Sequence, residues 1–274
     1  MASGAHRGTL SPVLRRPALA LSLAALAVLP AGASADIAPG LPDELSRDQL
    51  DRAALLAMPA VYRLELETRV EGLVTRSGRR VPLPEGARTV GRLGTAFAVS
   101  PQGYLVSAAH VVAPPADDLA ATAYLQKLAV EGRRHSEAAA RAWVRRTGAR
   151  PVGVTTISRT VRQAQVTGDG RRSRTAIPKV VAVDWQRDLV VLRVPMREAP
   201  ALALVDSARP GTRIATLGFG SDDAFAAPQR ADLVPAVRKG TLGATDAVEG
   251  EPARRLTRVT ADVQRGDSGG PAVT

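Results

Sequence analysis

Near its C-terminal end the chain carries Gly266-Asp267-Ser268-Gly269-Gly270-Pro271, a serine in a glycine-rich turn. Such a turn suits a nucleophilic hydroxyl, because attack on a carbonyl creates an oxyanion that backbone N–H groups must meet. Glycine at 266 lets the backbone take that shape with no side chain in the way of a substrate. The same residue types are common in ordinary polar turns, so the segment needs partners before it means chemistry. A serine hydroxyl is a weak nucleophile at neutral pH: it requires a general base, and the base requires a group that holds its tautomer.

Three histidines are available. His6 lies in an N-terminal segment with the features of an export signal, and His135 lies among arginines in a polar, helix-like stretch. His110 closes the stretch from Gly94 to Val112, which reads as strand, a turn at Pro101-Gln102-Gly103, a second strand, and a small-residue turn bearing the histidine. Small residues there would let an imidazole project over a cleft. A lone histidine after an apolar strand is more often structural than catalytic, so its neighbours carry the argument. Two acids stand between this histidine and the serine in Asp184-Trp185-Gln186-Arg187-Asp188-Leu189-Val190-Val191-Leu192, namely Asp184 and Asp188.

These segments, in the order histidine, acid, serine, resemble the trypsin-like serine peptidases of the chymotrypsin fold. Ser107-Ala108-Ala109-His110 stands where that family has Thr-Ala-Ala-His, and Asp188 opens directly into Leu189-Val190-Val191-Leu192, the family's acid-plus-strand pattern. Asp184 precedes the pattern and is read as a turn residue. The resemblance covers roughly residues 60 to 274 and implies His110 as base, Asp188 as its orienting acid and Ser268 as nucleophile. It further implies backbone N–H groups of Gly266 and Ser268 as oxyanion donors, an acyl-enzyme, polypeptide substrates, and no cofactor or metal ion. Asp262, six residues before Ser268, falls where the family places the floor of the specificity pocket, which implies a preference for Arg or Lys at the cleavage site.

Within the family the cysteine-free chain is most similar to bacterial secreted members of the HtrA/DegP type. The stretches Pro210 to Gly220 and Arg238 to Gly243 resemble theirs, although HtrA enzymes usually have asparagine where this chain has Asp267. In zymogen-type relatives the residue before the nucleophile pairs with a freed amino terminus. The mature start near Asp36 lacks the Ile-Val-Gly-Gly that this requires, so Asp267 is expected to accept local backbone hydrogen bonds and shape the turn.

The fold implied is all-β: two six-stranded Greek-key barrels of the chymotrypsin/trypsin type, the first over residues 60–200 with a helical insertion at about 113–150, the second over residues 201–274. In this family further strands follow the nucleophile, so the second barrel is expected to be incomplete. The rival to an endopeptidase is therefore a non-catalytic trypsin-fold binding protein or an inactive gene fragment. PDZ modules, which HtrA enzymes carry, would lie further along.

Composition agrees with export. Residues 1–35 carry Arg7, Arg15 and Arg16 with no acidic residue, then an apolar run from Ala18 to Leu29, then Ala33-Ser34-Ala35. That is the pattern of a signal peptide cleaved after Ala35, and the run is too short to span a bilayer comfortably. A secreted or periplasmic location follows. The chain has no cysteine, so no disulfide can brace it. The 239 residues left after cleavage suffice for two small barrels with their own cores.

Alternating runs such as Val61 to Glu67 and Arg255 to Thr260 have the period of half-buried strands. Before them, in a leader over 36–59, Asp43 to Ala57 reads as a short helix with Ser46 and Gln49 spaced as a capping box and Pro59 ending it. Residues 117 to 147 read as a helical hairpin, with Leu125, Leu128 and Ala129, then Ala139, Ala142 and Trp143, at helical spacing and Gly132 as the break. From Ala113 to Ala176 twelve Lys or Arg face five Asp or Glu, a net +7 that nearly equals the +8 of the mature chain (the formal +11 less three signal arginines). Such a surface can contact an anionic envelope component or be a solvated face. With neither aromatic interleaving nor a nucleic-acid fold motif, no specific nucleic-acid binding is expected.

Overall fold

The computed structural model describes residues 27–30, 47–164, 174–205, 208–220, 234–248 and 251–274, and within them the chain forms two β-sheets. Strand β1 (Ala27–Pro30) comes first and belongs to the second sheet. The rest of the segment read as an export signal, and Ser46, read as a helix cap, lie outside the described residues. Helix α1 (Arg47–Ala57) buries Leu50, Ala54 and Ala57, one stripe at helical spacing. A 3-10 turn at Met58–Ala60, with Pro59 inside it, ends the helix where a proline would be expected to.

The first sheet is built on β2 (Val61–Val74), whose apolar and polar residues alternate over most of its length. Strand β3 (Arg80–Pro82) returns along the far end of β2, and β4 (Thr89–Ser100) pairs antiparallel with its first half. A turn closed by Gly103 N–H to Ser100 O at 3.0 Å, with Gly103 at φ 83°, leads into β5 (Tyr104–Ala108). This is the Pro-Gln-Gly turn foreseen from sequence, and only glycine takes that φ without strain. Helix α2 (Ala109–Val112) is a single turn carrying His110.

The insertion follows as α3 (Ala116–Val130) and α4 (Glu137–Thr147), separated at Gly132, whose φ is +71°. Its buried face is not quite the one the spacing suggested. Leu119, Ala120, Ala123 and Leu128 are buried while Ala129 is exposed, because α3 packs on Val70, Leu73 and Leu83 rather than standing free. Tyr124 and Trp143 stack between the helices, centroids 3.8 Å apart and planes 6° from parallel.

Four more strands complete the sheet: β6 (Arg150–Gln163) on the other side of β2, β7 (Thr175–Ala176) beside β6, β8 (Lys179–Asp184), and β9 (Leu189–Arg193) between β5 and β8. It thus holds eight strands rather than six, the short β3 and β7 accounting for the difference. Tyr62, Leu64, Leu105, Val161 and Leu192 are fully buried in its interior. Each such leucine contributes about 1.5–3 kcal/mol relative to an exposed one.

The second sheet runs β10 (Leu202–Val205), β1, β14 (Ala272–Val273), β11 (Arg213–Gly218), β12 (Ala236–Val248) and β13 (Glu251–Val259), in that order. Strand β1 is antiparallel to β10 and parallel to β14. Between the sheets, α1 joins Phe97 and Val106 of the first to Leu202, Leu217, Phe219 and Val273 of the second in one apolar core. The architecture is the all-β, two-sheet arrangement of a trypsin-like fold with a helical insertion in its first half.

Candidate active site

Strand register brings the first two candidate residues together. In the β5–β9 pair Ala108 lies opposite Leu189, so the residues one step beyond, Ala109 and Asp188, must also be neighbours. Ala109 N–H donates to Asp188 O at 3.0 Å. From there Asp188 reaches His110 twice: Oδ1 accepts the His110 backbone N–H at 2.9 Å, and Oδ2 lies 2.6 Å from Nδ1. The two side chains are 35% and 40% exposed, so the pair is open to solvent rather than sunk in the core. Because a carboxylate only accepts, this contact fixes the proton on Nδ1 and leaves Nε2 as a base. Asp188 has φ 55°, a left-handed conformation that aspartate tolerates better than most residues.

The serine turn comes to the same place from the second sheet. Ser268 O accepts the backbone N–H of Thr95 in β4 at 2.9 Å. A Cβ at Gly269 would stand 2.7 Å from Ala108 N and overlap Ser107 Oγ and Thr95 O, so glycine alone allows the turn to lie against the strands that lead to His110. Gly266 has φ 93°, and a Cβ there would come within 2.7 Å of Phe219 O. Among the described residues neither Gly266 N–H nor Ser268 N–H has a hydrogen-bond partner, and the Ser268 hydroxyl is likewise free, of His110 as of others. Hydrogen bonds of that kind commonly tighten only when substrate is bound.

Asp267 accepts Gly220 N–H and Gln264 N–H, each at 2.8 Å, which gives the turn the local backbone bonds expected of it. Sequence reading missed its third partner, Arg238 of β12. The Arg238 Nη1 lies 2.8 Å from Asp267 Oδ2, with the two side chains 15% and 7% exposed. Arg238 Nη2 donates to Gly220 O at 3.0 Å and to Gln264 Oε1 at 2.6 Å, tying together both segments that flank the serine turn. Close approach explains the neighbouring glycines, since a Cβ at Gly218 or Gly220 would overlap the Asp267 side chain.

The remaining acids go elsewhere. Asp184 pairs with the Arg187 guanidinium at 2.7 Å and accepts its N–H at 3.1 Å, which holds this carboxyl below the usual carboxylate range; it ends β8 and braces the turn that follows, whereas the sequence reading places it within the turn. Asp262 is exposed just beyond β13, with no ion pair among the described residues. Glu137 at the start of α4 pairs with Arg265, so the insertion touches the residue before Gly266.

A carboxylate-held histidine on one sheet and a serine in a glycine turn on the other are the residue types that acyl-transfer hydrolases use. The chain belongs to the trypsin-like peptidase domain family, whose model matches residues 94–274. No curated protein matches it in sequence. Among solved structures it is similar to the HtrA-type protease AlgW with a decapeptide, at 20% identity and TM-score 0.45, over 79% of this chain and 53% of that one. It is similar too to the Rv3671c protease from M. tuberculosis, active form, at 17% identity and TM-score 0.44, over 97% of this chain and 78% of that one. A third is the serine endoprotease from Yersinia pestis, at 16% identity and TM-score 0.45, over 86% and 55%. The chain thus spans about half the length of AlgW.

Proposed function

We propose that this protein is a serine endopeptidase that cleaves polypeptides through an acyl-enzyme. Ser268 Oγ attacks the scissile carbonyl while His110 Nε2 takes its proton. The tetrahedral oxyanion is met by the N–H groups of Gly266 and Ser268, and His110 then gives the proton to the leaving amine. Water, activated by the same histidine, releases the acyl group. The observation that carries the reading is the double grip of Asp188 on His110, at 2.9 Å and 2.6 Å, with both side chains partly exposed. The N–H groups of Gly266 and Ser268, without partners among the described residues, support it from the other side.

The test is turnover of a peptide substrate together with covalent labelling by a fluorophosphonate. Both should vanish in Ser268→Ala. Turnover that survives in that variant would mean a different nucleophile, and absence of both from the parent protein would favour a non-catalytic binding module.

The finer readings follow from particular residues. Asp262 offers a cationic side chain an exposed carboxylate with no ion pair among the described residues, so cleavage after Arg or Lys is favoured, and Asp262→Ala should erase that preference. In the insertion, Asp118 and Glu137 pair with Arg141, and Glu131 with Lys127. These acids are thereby neutralised, while Arg133, Arg134, Arg145 and Arg146 stay exposed. That face suits an anionic envelope surface, and salt-sensitive retention should weaken when 117 to 147 are deleted. Export with cleavage after Ala35 predicts a mature amino terminus at Asp36, readable by N-terminal sequencing, and would take β1 off the second sheet.

A further inference from the structure

Thr95 is a polar residue with no exposed surface in the middle of β4, between Gly94 and Ala96. A buried hydroxyl must find partners, and both partners of the Thr95 hydroxyl lie beyond its own sheet. Its Oγ1 donates to Gly266 O at 2.7 Å and accepts Phe219 N–H at 3.0 Å. Its backbone N–H donates to Ser268 O at 2.9 Å. Its backbone carbonyl accepts the hydroxyl of Ser107, on the strand that leads into His110, at 2.7 Å.

We propose that Thr95 is a positioning residue for acyl transfer, holding the carbonyls of the same two residues, Gly266 and Ser268, whose N–H groups receive the oxyanion. The proposal rests on the reading of Ser268 as nucleophile. Gly266 has no side chain to restrain its backbone and adopts φ 93°, so its peptide plane must be held from outside. The Thr95 hydroxyl does this on one side of the turn and the Thr95 N–H on the other. Through Ser107 the same residue is tied to the strand that leads into the base. Thr95 therefore sets the distance between base, nucleophile and oxyanion donors with one buried group.

Valine has the shape of threonine without the hydroxyl, and would leave Gly266 O and Phe219 N–H both unpaired. Serine keeps the hydroxyl and loses only a methyl. With a short peptide amide as substrate, Thr95→Val should lower kcat about 10- to 100-fold, the range expected when an oxyanion donor is misplaced rather than removed. KM should stay within about twofold, since Thr95 touches no substrate. Affinity for a peptide aldehyde, which forms an oxyanion on binding, should fall in parallel with kcat. Thr95→Ser should recover most of both.

A Thr95→Val protein that melts earlier but retains the parent kcat and aldehyde affinity in its folded fraction would overturn the proposal. Should the valine variant not fold, Thr95→Ala against Thr95→Ser gives the same contrast, and equal kcat in those two would overturn it as well. Ser268→Ala separates this from the wider reading: turnover without Ser268 defeats the reading itself, whereas a dead Ser268→Ala beside a fully active Thr95→Val defeats only the role of Thr95.

Discussion

Asp188 holds His110 by side chain and main chain at once, Oδ2 at 2.6 Å from Nδ1 and Oδ1 at 2.9 Å from the backbone N–H. One contact sets the tautomer and the other sets where the ring is rooted. Asparagine separates them. Its carbonyl oxygen can still accept the backbone N–H, and it tolerates the φ of 55° found here. Its amide would face Nδ1 with a donor, putting the imidazole proton on Nε2 and removing the base. Asp188→Asn should therefore lower kcat about 10³- to 10⁴-fold with little change in melting temperature. A kcat within tenfold of the parent would show that the carboxylate does not set the tautomer.

Gly269 marks where the two sheets touch at the site. A Cβ there, at φ 86°, would stand 2.7 Å from Ala108 N and overlap two buried oxygens that have nowhere to move. Gly132 has a similar φ of 71° but nothing within 4 Å of its Cβ position. Alanine at 132 should cost about 1–2 kcal/mol from backbone strain alone. At 269 the overlap adds to it, for a total of about 2–5 kcal/mol. Urea unfolding of the two variants measures the difference, and equal costs would mean that the contact at 269 is absent in solution.

How far the sequence carried depended on the distance over which each signal acts. His110 and Ser268 sit in short motifs whose neighbours announce them, and Asp188 opens an apolar strand. The Pro101-Gln102-Gly103 turn and the break at Gly132 are equally local, since a single glycine φ decides each. Arg238 is different. Its place beside Asp267 follows from the β11–β12 register, with Thr216 opposite Arg238, and nothing in Arg238-Lys239-Gly240 hints at it. Thr95 looks like any strand threonine until the second sheet supplies its partners. Strand β6 also escaped a clear reading, because half of its residues are exposed, only Val161 is buried, and it lacks the alternation that betrays β2.

Tyr62 gives a pH-dependent handle on the first sheet. It has no exposed surface, and its hydroxyl lies 3.7 Å from Met196 Sδ, a weak acceptor. Burial pushes its phenol up to about 12 from 10.0, with Arg174 opposing weakly. A raised value means that the folded protein keeps its proton where the unfolded chain loses it. The contribution is complete below pH 10 and is lost as pH rises from about 10 toward 12. Urea midpoints should fall over that window in the parent and fall less in Tyr62→Phe. Identical pH dependence in the two would place Tyr62 in contact with water.

The Arg238–Asp267 pair makes the strongest claim on stability near the site. With side chains only 15% and 7% exposed, removal of either partner leaves a buried charge with reduced compensation. Arg238→Met should cost about 3–5 kcal/mol, since Asp267 keeps its two backbone bonds but loses its counter-charge. Asp267→Asn relieves the charge and keeps an acceptor, so the double variant Arg238→Met/Asp267→Asn should be less destabilised than the sum of the singles by at least about 1 kcal/mol. Because the pair is buried, that coupling should persist in high salt, unlike a surface pair. The turn it anchors carries Ser268, so kcat in the folded fraction of Arg238→Met should also fall, with KM affected less. Additive effects in the stability cycle would mean that Arg238 and Asp267 act independently, and Asp267 would then shape the turn through Gly220 and Gln264 alone.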